Sequence, residues 1–321
     1  MSFTDHIETP ASKPYTHEGL AHVEARMRQA LHLERSIHAV GPADVTHMAA
    51  YHLQSGGQRI RSRLALAAAQ ALGLQEKDAV CIAACAELLH NASLIHDDIQ
   101  DQDALRRGQP AVWSKYGSNM AICSGDFVLS AAYGVLSTFS QPRFLPALLS
   151  LVHERTGTAI NGQCADLSLR PDQIDSLACY IQIAKAKSGA LLSLPLEMVL
   201  LVKGQTEGLA LARQACENFA VGYQILDDLQ DVWADSVSDA NLMCQPQCLN
   251  IVLILTRLHD LSETDNAKTA EAAAIDLGFR HLAVCEATAG QMPCASGQQL
   301  LALSAQLRQL IHAFSPSVVV A

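Results

Sequence analysis

The stretch AVCIAACAELLHNASLIHDDIQD, Ala79–Asp101, decides the fold class. As far as His96 its apolar residues recur at intervals of three and four, and Ala and Leu prevail over β-branched residues, the pattern of a helix rather than a strand. The same period runs through Glu18–His38, Arg59–Leu72, Asn119–Thr138, Pro171–Lys187, Ala190–Val202 and Glu207–Trp233. Nowhere do several alternating runs lie between turn residues, and an aromatic content of 5% with abundant Ala and Leu also favours helix over sheet. Breaks fall at Ser55-Gly56-Gly57, Arg107–Pro110, Gln141-Pro142, Lys203-Gly204, Ser236–Pro246, Ser262–Asn266 and Gly290–Gly297. None is long or polar enough to be an interdomain linker, and no repeat of fixed period is present. The expectation is one all-α domain over residues 18–321, preceded by a loosely ordered segment, 1–17, with the weakest helical pattern after Trp233.

Composition narrows the class of protein. The 321 residues carry 22 Lys+Arg against 32 Asp+Glu, a formal net charge of −10, and half of them are apolar. That balance excludes a disordered chain, and a net negative chain without a basic tail argues against non-specific nucleic-acid binding. No uncharged apolar run reaches the roughly 18 residues of a membrane span; the longest candidate, Phe127–Pro142, is diluted by Ser, Gly and Tyr. Asp5 and Glu8 precede any apolar stretch, unlike a secretory signal, so a cytoplasmic location is expected. The ten cysteines are scattered, mostly among Ala, Leu and Ile, as small core residues are. Cys244 and Cys248 have a metal-like spacing but no second pair nearby, so neither a zinc site nor a disulfide framework is expected.

Chemistry enters with two acidic clusters, DDIQD at Asp97, Asp98 and Asp101 and DDLQD at Asp227, Asp228 and Asp231. On a helix the first and last carboxylates of each lie one turn apart on one face. Each is expected to end a long apolar helix, with LLHNASLIH before the first and AVGYQIL before the second. Like charges stacked this way repel, and a cation between them removes the cost. Carboxylates favour Mg²⁺, which binds one or two of them together with substrate phosphates. Basic residues stand nearby: Arg106 and Arg107 before Gly108, and upstream GGQRIR, Gly56–Arg61. Paired glycines let the chain turn tightly and approach a ligand. The helix start that follows offers N–H groups to an anion, and Arg grips phosphate oxygens with a planar fork. Carboxylate, Mg²⁺, phosphate and Arg form one coherent electrostatic assembly.

With these motifs the sequence resembles the trans-polyprenyl diphosphate synthase family. The order GGQRIR, LLHNASLIHDDIQDQDALRRGQPAVW, SGDFVLSAA, GQCADL, KSGALL and YQILDDLQD matches over Ser55–Trp233. The resemblance implies an isoprenoid synthase-type helical bundle around a deep apolar cavity, a homodimer, and a reaction joining isopentenyl diphosphate head to tail to an allylic diphosphate. It implies Mg²⁺, three ions once diphosphate is bound, with Mn²⁺ as a substitute. Carried over by position, Asp97, Asp98 and Asp101 resemble the first metal set and Asp227, Asp228 and Asp231 the second. Arg106 and Lys187 resemble contacts to the allylic diphosphate, and Arg61, His90 and Arg107 contacts to isopentenyl diphosphate. Gln58, Ser188 (for the usual Thr) and Gln224 fall at further substrate-binding positions, and Gln163 and Asp166 in the GQxxDL pattern. The departing diphosphate itself takes the proton, so His96 is a packing residue beside Asp97 rather than a base. Small residues before the first motif, Ala92 and Ser93, open the path toward Leu89 and set the chain length of the product, implying fifteen carbons or more.

Besides Ser188, the chain departs from the family at Ser62, where the family usually has Pro, and at two more consequential places. Gln58 stands where the family has Lys, losing a charge-assisted bond of about 1–3 kcal/mol. After the second motif, VWADSVSDANLMCQPQCLN has no Lys, Arg or Gly, where the family has Lys closing over the diphosphate. Three readings remain open: a working synthase with weaker diphosphate binding, a terpene synthase-like enzyme ionising a single prenyl diphosphate, or a low-activity partner subunit. A helical scaffold with fortuitous acidic ends is a fourth, of a different class.

Overall fold

A computed structural model describes residues 15–32, 44–237, 249–258 and 265–314. Of the segment expected to be loose, 1–17, residues 1–14 lie outside these and 15–17 begin a helix. The described residues form thirteen α-helices and one two-residue hairpin, the expected all-α class. They divide into two compact units. The first comprises the described residues up to Leu151 with Met198–Gly204, and the second Val152–Glu197 with the described residues from Gln205 onward.

The first unit is built on α4, Glu76–Gln100. It packs against α1 (Tyr15–Ala30), α3 (Ile60–Leu72) and α6 (Ser118–Leu136). Ala79, Ala83, Ala84 and Ala86 are buried along it, and such small side chains let neighbouring helices approach closely, while Ile82, Leu88 and Ile95 fill the core. Glu76 and Asp78 in the first turn suit the positive helix end. Asp78, buried, also accepts bonds from Ser140 N and Oγ at 2.9 and 2.7 Å. At the far end Asp101 caps α4, Gln102 turns left-handed at φ 57°, and Asp103 N donates to Asp98 O at 3.0 Å. That closure stops the helix within the acid motif. α2 (Val45–Gln54) and α5 (Val112–Tyr116) pack on α6.

In the second unit α10, Glu207–Val237, packs along α12, Asp265–Ala289, and also meets α11 (Ile251–Leu258), α13 (Gln298–His312) and α8 (Leu177–Ala184). α7 (Leu145–Ser168) and α9 (Ala190–Val202) each carry the chain from one unit into the other, and a π turn, Lys185–Gly189, joins α8 to α9.

The structure corrects several expectations. Helices α2, α5, α7, α11, α12 and α13 were not foreseen, and the helix expected from Pro171 starts at Leu177 after a single 3₁₀ turn. α1 ends at Ala30, and 33–38 of the helix expected there lie outside the described residues. The second acid cluster does not end its helix, since α10 runs on to Val237. Among the eight described cysteines, all free, Cys81, Cys85, Cys216 and Cys285 are buried whereas Cys123, Cys164 and Cys294 are exposed. Cys244 and Cys248 lie outside the described residues. α4 and α6 are both long and apolar enough to cross a bilayer by length and composition, because Ala and Cys count as apolar there. Of the apolar stretch, 78% is buried within the protein in α4 and 44% in α6.

Two buried polar groups constrain the fold. Glu197 is fully buried and pairs with Arg155 Nε at 2.9 Å and Arg213 Nη2 at 3.1 Å, with Ser193 Oγ donating at 2.7 Å. Glu197→Ala leaves the buried Arg155 only the exposed Glu154, 3.1 Å from its Nη2, so it should cost about 3–5 kcal/mol, read from urea unfolding. His52, on α2, is 4% exposed, and its Nε2 makes no hydrogen bond. Burial, then Arg107 and Arg106, push its pKa down to about 3. The unfolded imidazole takes up a proton near pH 6.5 and the folded one does not, so this histidine stabilises the fold above that pH and the contribution fades on acidification toward pH 3. His52→Gln should therefore gain on the wild type by about 1.4 kcal/mol for each pH unit below 6.5, in unfolding curves compared at pH 7.5 and 5.5.

Candidate functional site

The first acid motif lies in the first unit. Asp97 and Asp101 stand one turn apart on α4, half-buried and exposed respectively. Asp98, one residue on, points inward, 1% exposed, and accepts from Arg106 Nε at 2.8 Å and also from Arg106 Nη2. Burial raises its carboxyl above the usual range while Arg106 works to lower it. Arg106 reaches that position because the chain turns back in a hairpin, β1 (Leu105–Arg106) against β2 (Gln109–Pro110). The turn is made by Arg107 at φ 52° and Gly108 at φ 77°, the left-handed pair that matches strand twist.

The hairpin docks on the glycine loop. Arg107 Nη1 donates to Gly56 O and lies 3.5 Å from Ser55 Oγ. Gly57, at φ +132°, leaves the space for it: a Cβ there would lie 2.6 Å from the guanidinium. The double glycine thus admits the chain's own arginine, a use that spacing alone does not reveal. Gln58 O accepts from Arg63 Nε at 2.9 Å, and Gln58 Nε2 is buried without a hydrogen bond. Arg59 is turned away from the loop, buried beside Glu24. The start of α3 is less open to an outside anion than expected, since Ser62 N donates to the buried Glu87 at 3.0 Å.

His90 and Arg61 complete this side. Burial, then Arg61, Arg107, His52 and Arg106, hold the His90 pKa well below its ordinary value. Of the predicted substrate-binding residues, Arg61, Arg106 and Arg107 therefore all lie within electrostatic reach of His90, as does His52, which sequence reasoning missed. Below them on α4, Leu89 and Ala92 are buried, and half-buried Ser93 donates to His90 O at 2.9 Å. His96 packs on Gly125, its Nε2 3.5 Å from Asp126 Oδ1.

The second motif lies in the second unit. Asp227 is half-buried, and desolvation, then Asp228 and Asp231, push its carboxyl well above the usual range. Asp231 is exposed one turn on. Asp228 is buried and accepts from Tyr180 Oη, Ile251 N and Gln224 Nε2 at 2.8, 2.7 and 3.0 Å; burial still leaves its pKa raised to about 7. Gln224 is thus turned onto its own helix. Lys187 sits in the π turn and is paired with Asp166. α7 comes so close at Gly162 that a Cβ would lie 2.3 Å from Lys187 N. Ser188 beside it is half-buried. Asp166, Lys187, Tyr180, Gln224 and Leu249 line a small cleft. Of the stretch expected to lack a closing Lys, 238–248 lies outside the described residues.

The described residues contain no ready group of three or more His, Cys, Asp or Glu able to hold a metal. What they offer is two pairs of carboxylates, Asp97 with Asp101 and Asp227 with Asp231. Mg²⁺ commonly takes one or two carboxylates and completes its shell with phosphate oxygens and water. The strained charge state of Asp227 is what a divalent cation relieves. These donors fit magnesium that arrives with a diphosphate.

Comparison with known proteins agrees. The (2E,6E)-farnesyl diphosphate synthase of Mycobacterium tuberculosis is 34% identical over 178 residues, 55% of this chain. The chain spans about half the length of that curated relative, 49%. The geranylgeranyl diphosphate synthase of Methanosarcina mazei is 28% identical over 236 residues, 73% of this chain and 68% of the relative. In fold, the solved geranylgeranyl pyrophosphate synthetase of the archaeon Geoglobus acetivorans superposes with a TM-score of 0.76 at 21% identity, covering 92% of this chain and 100% of that one. The pattern of the polyprenyl synthetase family matches residues 42–244, over half of the sequence and both acid motifs, and the chain belongs to that family.

Proposed function

We propose that the chain is a trans-prenyltransferase that condenses isopentenyl diphosphate with an allylic diphosphate, head to tail, releasing diphosphate and a product of fifteen carbons or more. The observation that carries this reading is the gathering of Arg61, His90, Arg106 and Arg107 beside the first acid motif. An enzyme that ionises one prenyl diphosphate has no use for an acceptor site, and the retained Arg61 and Arg107 support one. Bound magnesium would neutralise charge developing on the leaving diphosphate. Asp97, Asp101, Asp227 and Asp231 would hold it. Arg106 and Lys187, now paired with Asp98 and Asp166, would turn to the allylic diphosphate. Arg61 and Arg107 would hold the acceptor diphosphate, with His90 kept neutral as a hydrogen-bonding group. Leu89, Ala92 and the apolar body of α4 would shield the allyl cation from water. The assembly proposed is a homodimer, with Mn²⁺ able to replace Mg²⁺. A low-activity partner subunit is the second reading, favoured by uncharged Gln58, whose buried Nε2 has no bond to make within the chain.

Incubation with isopentenyl diphosphate, Mg²⁺ and dimethylallyl, geranyl or farnesyl diphosphate should yield elongated products by mass. Diphosphate release that does not depend on isopentenyl diphosphate would instead indicate a single-substrate enzyme. Removing Mg²⁺ with a chelator should abolish turnover, and Asp97→Ala or Asp227→Ala should lower kcat by ~10²-fold or more, the scale of losing one group aimed at developing charge. Gln58→Lys should lower KM for isopentenyl diphosphate about tenfold, the equivalent of one charge-assisted bond, with KM for the allylic substrate unchanged. Ala92→Phe should shorten the main product, read by mass, because the ring would stand in the proposed path of the growing chain.

A further inference from the structure

Asp228 shares its spacing with residues suited to metal, yet its surroundings differ from theirs. It is 2% exposed, and both carboxylate oxygens are engaged. Oδ2 accepts from Tyr180 Oη at 2.8 Å and Ile251 N at 2.7 Å, and Oδ1 from Gln224 Nε2 at 3.0 Å. The donors come from three helices: α8, α10 and the first residue of α11. Asn250 closes the arrangement. Its Nδ2 donates to Asp228 O at 2.9 Å, and its Oδ1 accepts from Val252 N at 2.9 Å and Leu253 N at 3.4 Å. Three N–H groups at the open end of α11 are thereby satisfied by Asp228 and Asn250. α10 and α8 both pack against α11.

We propose that Asp228 is a positioning residue rather than a metal ligand: with Tyr180, Gln224 and Asn250 it pins the start of α11 to α10 and so fixes the turn that carries Asp227 and Asp231. This rests on the proposed magnesium-dependent function for its consequence in catalysis, but the pin itself is independent of it. A carboxylate that swung out to a metal would strand the Tyr180 hydroxyl and the Ile251 N–H in the interior, and a buried unsatisfied donor is costly. One carbonyl oxygen, however, can accept both of those bonds. Asn in place of Asp228 keeps that oxygen, and the Gln224 amide need only turn over to accept from the new NH₂. Asn therefore preserves the pin and removes the charge, whereas Ala removes both.

The full chain is titrated with Mn²⁺ in the presence of inorganic pyrophosphate, followed by electron paramagnetic resonance, and amide hydrogen exchange is measured at Ile251–Leu253. Asp228→Asn should bind Mn²⁺ within about 3-fold of wild type and keep slow exchange, while Asp228→Ala should lose ~10- to 100-fold in Mn²⁺ affinity, as when a supporting partner of a metal ligand is removed, and exchange faster. Tyr180→Phe, which removes one bond without a change of volume, should raise exchange at Ile251 with Mn²⁺ affinity lowered less than in Asp228→Ala. Asp227→Asn should lose Mn²⁺ affinity with exchange at Ile251–Leu253 unchanged. Loss of Mn²⁺ in Asp228→Asn as deep as in Asp227→Asn, or slow exchange retained in Asp228→Ala, would overturn the proposal. A wild-type chain that takes up no Mn²⁺ with pyrophosphate would overturn the function proposed above, and the exchange rates would still decide the pin.

Discussion

Negative charge held against an apolar interior is the constraint on which the rest depends. Six carboxylates stand at or near the polar ends of the buried faces of α4 and α10, and water reaches them unequally. The fold answers in two ways. The second aspartate of each motif turns inward and is matched by the protein itself, Asp98 by Arg106 and Asp228 by Tyr180, Gln224 and the Ile251 amide. The first and last are left as pairs one turn apart, and in the second motif Asp227 bears a burial that its neighbours aggravate. Lys187 offsets part of that cost at Asp227.

The cations are organised by the same logic. Arg106 and Lys187 each lean on a carboxylate, Asp98 and Asp166, that an anionic ligand must outcompete. Arg107 instead clasps the backbone of the glycine loop at Gly56. The hairpin and the loop, some fifty residues apart in sequence, are thereby one structural piece, and what positions Arg107 also sets where α3, the helix of Arg61, begins. Among these positive charges the two histidines, His52 and His90, are held neutral, so the cluster keeps its hydrogen-bonding capacity without adding further repulsion.

Much of this was legible in the sequence, and the limits are physical. α4 and α10 announce themselves because one face of each is almost uniformly apolar. α7 does not, because Thr156, Gly157, Thr158 and Gly162 dilute its stripe, and α12 hides in an Ala-rich run whose two faces differ little. The acid motifs identify the chemistry, but spacing cannot say which carboxylate faces outward. Adjacent residues on a helix differ by about 100°, and what meets the inward carboxylates comes largely from Arg106, Tyr180 and Ile251, eight to some fifty residues away. His52, Tyr180, Glu87 and Asn250 had no signal of their own, since each matters only through a partner on another helix.

The π turn at Lys185–Gly189 has a bearing on how this region can change over time. A wider turn holds roughly one residue more than an ordinary one, so it rotates everything downstream by about 100° relative to a continuous helix. The turn thus sets the register of α9, which is buried on every side from Ala190 to Leu200. Deleting a single residue there would not merely retract Lys187; it would re-index the whole of α9 against its surroundings. The lysine and the register of the helix behind it are inherited together, and neither can drift alone.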